Sequence, residues 1–444
     1  MAILKTIKNN GNVDYNFDIQ LLSVGESEDL FSPEYIKIKV DNDEITTLNN
    51  LTNSKIKTNI TLAAQDSMDI SIRVWLSSTT PNNQIGKSFD CKLVIDGQAV
   101  QTSSNYGITA ASYITNLYNN ANKTEVTNNN IKYNYATSVS LMNDRLGGTT
   151  KDLNAGNIRY YGANPNNYIY FNCTDYDNQS ADTCEVWRII GVFDNMIKII
   201  RDESIGTFSW DTSVEGINSG NGINEWNQAD IMKLLNPGYE NNQLDGDDAI
   251  KVNNSLYWNG SSNGNCYNGQ SNAYTTCNFS NTGLKNEETR NRIATVTWNL
   301  GGFSSSDILS PNNLYLLERG HAHMINPADG VQRQDTWTGR VALIYPSDYG
   351  YSVEFGTEKC TSLLSSYSDE ICTNNNWLYN SAYARLTISS RSDKLNIWTI
   401  YGAGHIANAG IYTGWNRVHP TLFLNSEEII KAGNGSSSTP YQIK

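Results

Sequence analysis

Trp187-Arg188-Ile189-Ile190-Gly191-Val192 and Met196-Ile197-Lys198-Ile199-Ile200-Arg201 are two short apolar runs rich in β-branched residues. Such runs are too short for ordinary buried helices and read as strands. Residues 340–345 and 420–424 have the same character. Between the runs lie long stretches of Asn, Gly and Ser, and only residues 227–235 and 287–295 look helical. The region 133–444 is therefore expected to be loop-rich and mainly β with minor α. Loops on this scale need staples and buried aromatics to hold their shape. Nine of the ten Trp residues, all but Trp75, fall here, and six of them (Trp187, Trp226, Trp258, Trp298, Trp337 and Trp377) read as core or near-core.

Residues 1–101 read as all-β. Ile36, Ile38 and Val40 alternate with lysines, and residues 56–62, 69–76 and 88–95 repeat the period of two. Pro81-Asn82-Asn83 and Asp96-Gly97 supply turns. Four or more antiparallel strands in this length predict a small β-sandwich, a stalk or assembly module. Residues 102–132 differ. Positions 109–118 fit a short helix with Ala111, Ile114, Leu117 and Tyr118 on one face, followed by an Asn-rich polar stretch. This segment reads as helix plus linker, and the domain boundary is placed in it.

The seven cysteines are Cys91 and three couples, Cys173/Cys184, Cys266/Cys277 and Cys360/Cys372, each enclosing ten or eleven mostly polar residues. Zinc and redox motifs use two-residue spacings, so three loop-stapling disulfides are expected. Disulfides persist outside the cytosol, which predicts an exported protein. Met1-Ala2-Ile3-Leu4-Lys5 leads straight into Asn9-Asn10-Gly11 without the pattern of a leader, so a signal peptide is expected to be missing from this sequence. Cys91, in the alternating run Phe89-Asp90-Cys91-Lys92-Leu93, is expected to be a buried free thiol.

The chain has 444 residues, 39% of them hydrophobic, and a mean hydropathy of -0.48, which suits a folded chain of about two to four domains. Lys+Arg 32 against Asp+Glu 45 gives a net charge of -13. Nucleic acid and anionic membrane both want clustered cations, so neither is expected as a partner. No run approaches the ~18 apolar residues of a membrane span.

The C-terminal region resembles a family of exported proteins from gut Gram-positive bacteria. The matching stretches are Asn143-Asp144, Leu146-Gly147, Asn157-Ile158-Arg159-Tyr160-Tyr161-Gly162, Trp187-Arg188-Ile189-Ile190-Gly191-Val192-Phe193, Ile199-Ile200-Arg201-Asp202-Glu203-Ser204-Ile205-Gly206, Asn224-Glu225-Trp226, Leu234-Leu235-Asn236-Pro237-Gly238-Tyr239, Asn254-Ser255-Leu256-Tyr257-Trp258, Tyr345-Pro346-Ser347-Asp348-Tyr349-Gly350-Tyr351 and Pro420-Thr421-Leu422-Phe423-Leu424. The family looks like the C-type-lectin-like superfamily, related in fold to formylglycine-generating enzymes. That resemblance implies a small twisted sheet, one or two helices and long loops. Asp69-Ile70-Ser71-Ile72-Arg73-Val74-Trp75-Leu76 with Gly86-Lys87-Ser88-Phe89 is similar to the camelysin/TasA-type β-sandwich of surface fibres.

The chain departs from the lectin-like pattern near its end. Leu386-Thr387-Ile388-Ser389-Ser390 stands where the family reads Trp-Thr-Leu-Ser-Pro, and Arg417-Val418-His419-Pro420 where it reads Gly-Val-Arg-Pro. The intervening residues 391–415 are rich in Ile, Tyr, Ala, Gly, His and Trp. In C-type-lectin-like proteins diversified by retroelements, ligand-binding residues sit in this C-terminal stretch, and most of residues 400–413 are types that randomised Asn codons encode. The stretch also has the adaptable Tyr- and Asn-bearing character of paratopes.

The expected function is a cell-surface binding protein or adhesin that performs no chemistry and uses no cofactor. Its ligand-binding residues are expected to be Arg391, Trp398, Tyr401, His405, Asn408, Tyr412, Trp415 and Arg417, joined by His321, His323, Gln332 and Arg333 from a second loop. The partner is expected to be a protein or glycan on a host or microbial surface. Gly320-His321-Ala322-His323 lacks an obvious third ligand, and Asp245-Gly246-Asp247-Asp248 lacks calcium-loop spacing, so no metal is expected. Ser is plentiful but His is scarce, and pairing of the cysteines leaves no free thiol in the lectin-like domain for formylglycine chemistry. The alternatives are a fibre or pilus subunit assembling through the sandwich, and a glycan hydrolase.

Overall fold

A computed structural model describes residues 2–9, 15–24, 30–63, 66–99, 108–128, 131–145, 156–212, 222–240, 254–304, 310–319, 334–354, 360, 364–367, 369–393 and 395–444. The chain divides into two units, residues 1–106 and 107–444. As expected, it is mainly β with a few short helices.

Unit 1 holds strands β1 (Ala2–Lys8), β2 (Tyr15–Ser23), β3 (Ile36–Val40), β4 (Thr46–Thr47), β5 (Lys55–Leu62), β6 (Ser67–Leu76) and β7 (Cys91–Ala99). They form an antiparallel sheet ordered β1-β6-β3-β4 and a second ordered β5-β2-β7. Ile36, Ile38 and Val40 of β3 and Ile70, Ile72 and Val74 of β6 share one core with Phe17, Ile19 and Leu21 of β2. That is a β-sandwich whose alternation feeds one face of each sheet inward. Strand β2 escaped the sequence reading, although Phe17, Ile19 and Leu21 carry the same period; it is the centre of the second sheet. Cys91 is a free thiol as expected, but half-buried rather than buried.

Unit 2 begins earlier than the sequence suggested. Helix α1 (Ala110–Asn120) and strand β8 (Thr124–Asn128), within the segment read as helix and linker, are integral to it. The Thr109 hydroxyl caps α1 by accepting from the Ser112 N–H at 3.2 Å. Ala111, Ile114 and Tyr118 are buried in the main core, and the Ala110 N–H donates to the Glu428 carbonyl at 2.6 Å. The polar composition of β8 hid a ladder to its neighbour β9 (Ile131–Ala136).

The sheet continues through β10 (Leu141–Asn143), β11 (Ile158–Tyr160), β12 (Tyr168–Phe171), β13 (Glu185–Phe193) and β14 (Met196–Arg201). β13 and β14 form the hairpin containing the two apolar runs, paired from Trp187↔Arg201 to Phe193↔Met196. Asp194 and Asn195 turn it with φ of 47° and 61°, the positive values that a tight two-residue hairpin turn demands. Short elements follow: helices α2 (Asp230–Leu235), α3 (Leu256–Asn259), α4 (Glu287–Asn291), α5 (Pro311–Glu318) and α6 (Pro346–Tyr351), and hairpins of β15 (Gly264–Tyr267) with β16 (Tyr274–Cys277) and β17 (Val296–Asn299) with β18 (Thr336–Gly339).

β19 (Val341–Ala342), the strand β20 (Arg385–Ser390), β21 (Asn396–Ile400), β22 (Ile406–Gly410), β23 (Thr421–Phe423), β24 (Ile430–Ala432) and β25 (Gln442–Ile443) complete the unit. β19 and β23 extend the nine-stranded antiparallel sheet, ordered β19-β23-β14-β13-β11-β10-β9-β8 with β12 also on β13. Only two residues of the expected strand at 340–345 are extended as β19; Leu343, Ile344 and Tyr345 are buried and lead into α6. Cys173–Cys184, Cys266–Cys277 and Cys360–Cys372 are bonded as expected. Trp187, Trp226, Trp258 and Trp298 are buried, while Trp337 and Trp377 are half-buried against the cores. Among the described residues no helix is long and apolar enough to cross a membrane.

Candidate functional site

The predicted binding stretch is the sheet β20-β21-β22 and the segment that follows it. β21 is its centre, with Ile397, Trp398, Thr399 and Ile400 all buried, and β22 is an edge. Residues 401–405 turn between β21 and β22. The Tyr401 N–H donates to the His405 carbonyl at 2.9 Å and the Gly404 N–H to the Tyr401 carbonyl at 2.8 Å. Gly404 has a φ of +98°, and a Cβ there would lie 2.4 Å from the Thr373 methyl, so the position requires glycine. The phenols of Tyr349 and Tyr379 pin the turn by donating to the Gly404 and Gly402 carbonyls at 2.7 and 3.1 Å.

Trp398 is a correction. It is 1% exposed, stacks on Phe303 with centroids 4.9 Å apart at 3°, and donates its indole N–H to the Phe303 carbonyl at 3.1 Å. It belongs to the core and cannot touch a ligand. Arg391 and Arg417 also have internal work. Arg391 pairs with Asp393 at 2.8 Å, and its carbonyl accepts from the Asn224 amide at 3.0 Å. Arg417 donates to the Ser204 hydroxyl at 3.1 Å and lies 4.0 Å over the Tyr383 ring. Tyr412 is half-buried against the main core.

The outward-facing members are Tyr401, 51% exposed, Asn408, and Trp415, 76% exposed. The His405 ring lies 5.2 Å from the Tyr401 ring, and burial lowers its pKa, favouring neutral imidazole. These residues are not one compact patch. Tyr401 and His405 sit at the turn, whereas Tyr412 and Trp415 follow the opposite end of β22. Pairing runs from Tyr401/His405 to Leu395/Ile411, a separation of roughly 20 Å at about 3.4 Å per residue. Asn408 lies between them on the edge strand. His321, His323, Gln332 and Arg333, and also Asp245-Gly246-Asp247-Asp248, lie outside the described residues. Among the described residues no group of three or more His, Cys, Asp or Glu side chains gathers to hold a metal ion.

A second locus was not singled out from the sequence. Arg159 donates to Asp144 at 2.5 Å and to Asp348 at 2.7 Å, and Lys198 pairs with the other Asp348 oxygen; all four side chains are at most 1% exposed. Burial opposes ionisation of Asp348, but the charges of Lys198 and Arg159 outweigh it and hold its pKa below the usual range. Burial pulls the Lys198 pKa down to about 8, against the attraction of Asp348. Beside them Glu318, wholly buried, accepts from the Ser347 N–H at 2.9 Å and hydroxyl at 2.5 Å. Burial pushes its pKa up to about 7 despite Arg319 at 3.5 Å. The available signal was Lys198 itself, a charge inside Ile197-Lys198-Ile199-Ile200, where an apolar strand must supply it a partner.

The chain matches no protein family, no curated protein and no solved structure.

Proposed function

We propose that this is an exported, cell-surface binding protein that recognises a protein or glycan without chemistry, related to the C-type-lectin-like proteins. The observation that carries the reading is Trp415. An indole 76% exposed, following an edge strand that bears exposed Asn408 and, at its far end, a pinned turn bearing Tyr401, is contact surface held on a rigid frame. Three disulfides support a life in an oxidising compartment. Residues 400–413 span that turn and edge strand, where substitutions at exposed positions cost little, which is compatible with a diversified surface. The test is a glycan and protein array probed with the full chain, followed by Tyr401→Ala and Trp415→Ala. Both variants are expected to lose the ligand found while their melting temperatures stay within a few degrees of the parent. Retained binding in both overturns the assignment of this surface.

A second reading, self-assembly into a fibre, is favoured by the sandwich edges. Among the described residues β7, nine residues long, pairs only with β2, and β1 pairs only with β6. Leu4 and Ile95 on these edges are 70% and 46% exposed. Open apolar edges recruit strands. Polymer in non-reducing, detergent-free solution supports this reading, and a monomer across the concentration range removes it.

A further inference from the structure

Lys198 and Asp348 are the one lysine–carboxylate pair among the described residues with both side chains out of water, each 1% exposed. In the others, Lys55–Asp18, Lys57 with Asp41 and Asp43, and Lys132–Glu125, every side chain is at least 21% exposed and keeps its hydration. The two buried partners lie in β14 and α6, 150 residues apart.

Their surroundings hold them against each other. Lys198 Nζ pairs with Asp348 Oδ2, and among the described residues Asp348 is its one hydrogen-bond partner. Rings enclose the Nζ atom, with the centroids of Tyr345, Trp298, Phe193 and Phe423 at 4.5, 5.4, 5.5 and 5.7 Å. Asp348 Oδ1 accepts from Arg159 Nη1 at 2.7 Å, and Oδ2 from the Tyr345 N–H at 3.3 Å, so the carboxylate cannot turn away. An amine and a carboxyl fixed in contact behave as reactants at very high effective concentration. Two ions out of water are also costly, a cost that a neutral amide does not carry.

We propose that Lys198 and Asp348 condense spontaneously to an isopeptide bond that ties β14 to α6. One Nζ proton passes to Oδ2 within the pair, giving amine and acid. Burial has already lowered the Lys198 pKa to about 8, which makes the neutral amine accessible. Nζ attacks Cγ, and the negative charge that develops on Oδ1 is met by the Arg159 N–H already bonded there. A second Nζ proton passes to Oδ2, the Cγ–Oδ2 bond breaks, and Oδ2 leaves as water into the hollow of about 200 Å³ that Lys198 lines with Asn157 and Asn299. One ammonium and one carboxylate thus give one amide and one water, with no oxidant and no net proton. The remaining cations each keep a carboxyl, Arg159 with Asp144 and Arg319 with Glu318. In the bonded chain Lys198 no longer titrates. The bond is independent of the Tyr401–Trp415 surface.

The experiment is intact-mass spectrometry of the full chain, unfolded and with its disulfides reduced, after the folded protein has been kept at about pH 8 until its mass is constant. The expected mass is that of the sequence less one water. Trypsin is expected to release residues 189–201, uncut after Lys198, joined to residues 341–359 as one branched peptide. Lys198→Arg keeps the charge but presents no amine, and is expected to restore the full mass. Lys132→Arg, in an exposed pair, is expected to leave the deficit in place. If Lys198→Arg fails to fold, the parent's mass and branched peptide decide. A parent of full mass is an ordinary buried ion pair and overturns the proposal, as does a missing water that maps to a cyclised aspartate or to another lysine.

Discussion

An indole buried among close-packed neighbours contributes packing and cannot also meet a ligand, whereas an indole in water contributes little to stability and is free to do so. Trp398 and Trp415 are the two cases in one stretch of chain. Replacing Trp398 by Ala deletes a ring stacked on Phe303 and one of two hydrogen bonds to the Phe303 carbonyl, so it is expected to cost about 3–5 kcal/mol in urea unfolding. Trp415→Ala is expected to stay within about 0.5 kcal/mol. Equal effects would show the two environments to be misassigned. The sequence could not separate them on composition, since both flank a stretch of low charge. The discriminating signal was local: Trp398 sits among Ile397, Thr399 and Ile400 in a central strand, while Trp415 follows Gly414 in a turn.

At the scale of elements, what was legible followed from short-range pattern. The period of two located four sandwich strands, the β-branched runs located β13 and β14, and equal spacing located the three disulfides. What was lost depended on partners far along the chain. β8 is polar and earns strand geometry only through its ladder to β9, and α1 is anchored by Glu428 and by Tyr441, 5.7 Å from the Tyr113 ring. The ion network joins β11, β14, α5 and α6, a convergence no local window contains. The disulfides give an element-scale prediction. Each bond closes a loop of 11 or 12 residues in separation, worth about 3 kcal/mol on the chain-entropy model. All three belong to unit 2, and unit 1 contains only Cys91. Reduction is therefore expected to lower the unfolding transition of unit 2 and leave that of unit 1 in place, as read by proteolysis and calorimetry with and without reductant. A shift in both transitions would contradict independent bracing.

For the whole molecule, burial of ionisable groups makes stability depend on pH, with terms of opposite sign. Glu318 is raised from the 4.5 of a free carboxyl to about 7. Between those values the folded chain holds a proton that the unfolded chain has released, so this contribution is full below about 4.5 and is lost as pH rises through about 7. His419 acts the other way. Burial holds its pKa well below 6.5, with its Nδ1 3.1 Å from the Arg201 carbonyl, so below 6.5 the unfolded chain takes up a proton the folded chain refuses. Lys198, lowered from 10.5 to about 8, adds stability as pH rises between those values. Because these slopes overlap, the curve of the parent alone is ambiguous and a difference curve is the measurement. Glu318→Gln keeps an acceptor for the Ser347 N–H and can donate to its hydroxyl, but does not titrate. Relative to the parent, the variant is expected to gain up to about 3 kcal/mol between pH 5 and pH 8, at about 1.4 kcal/mol per pKa unit. His419→Gln is expected to gain instead as pH falls below 6.5. A flat difference for Glu318→Gln across that range would mean that the carboxyl is already ionised in the folded chain, compensated by Arg319.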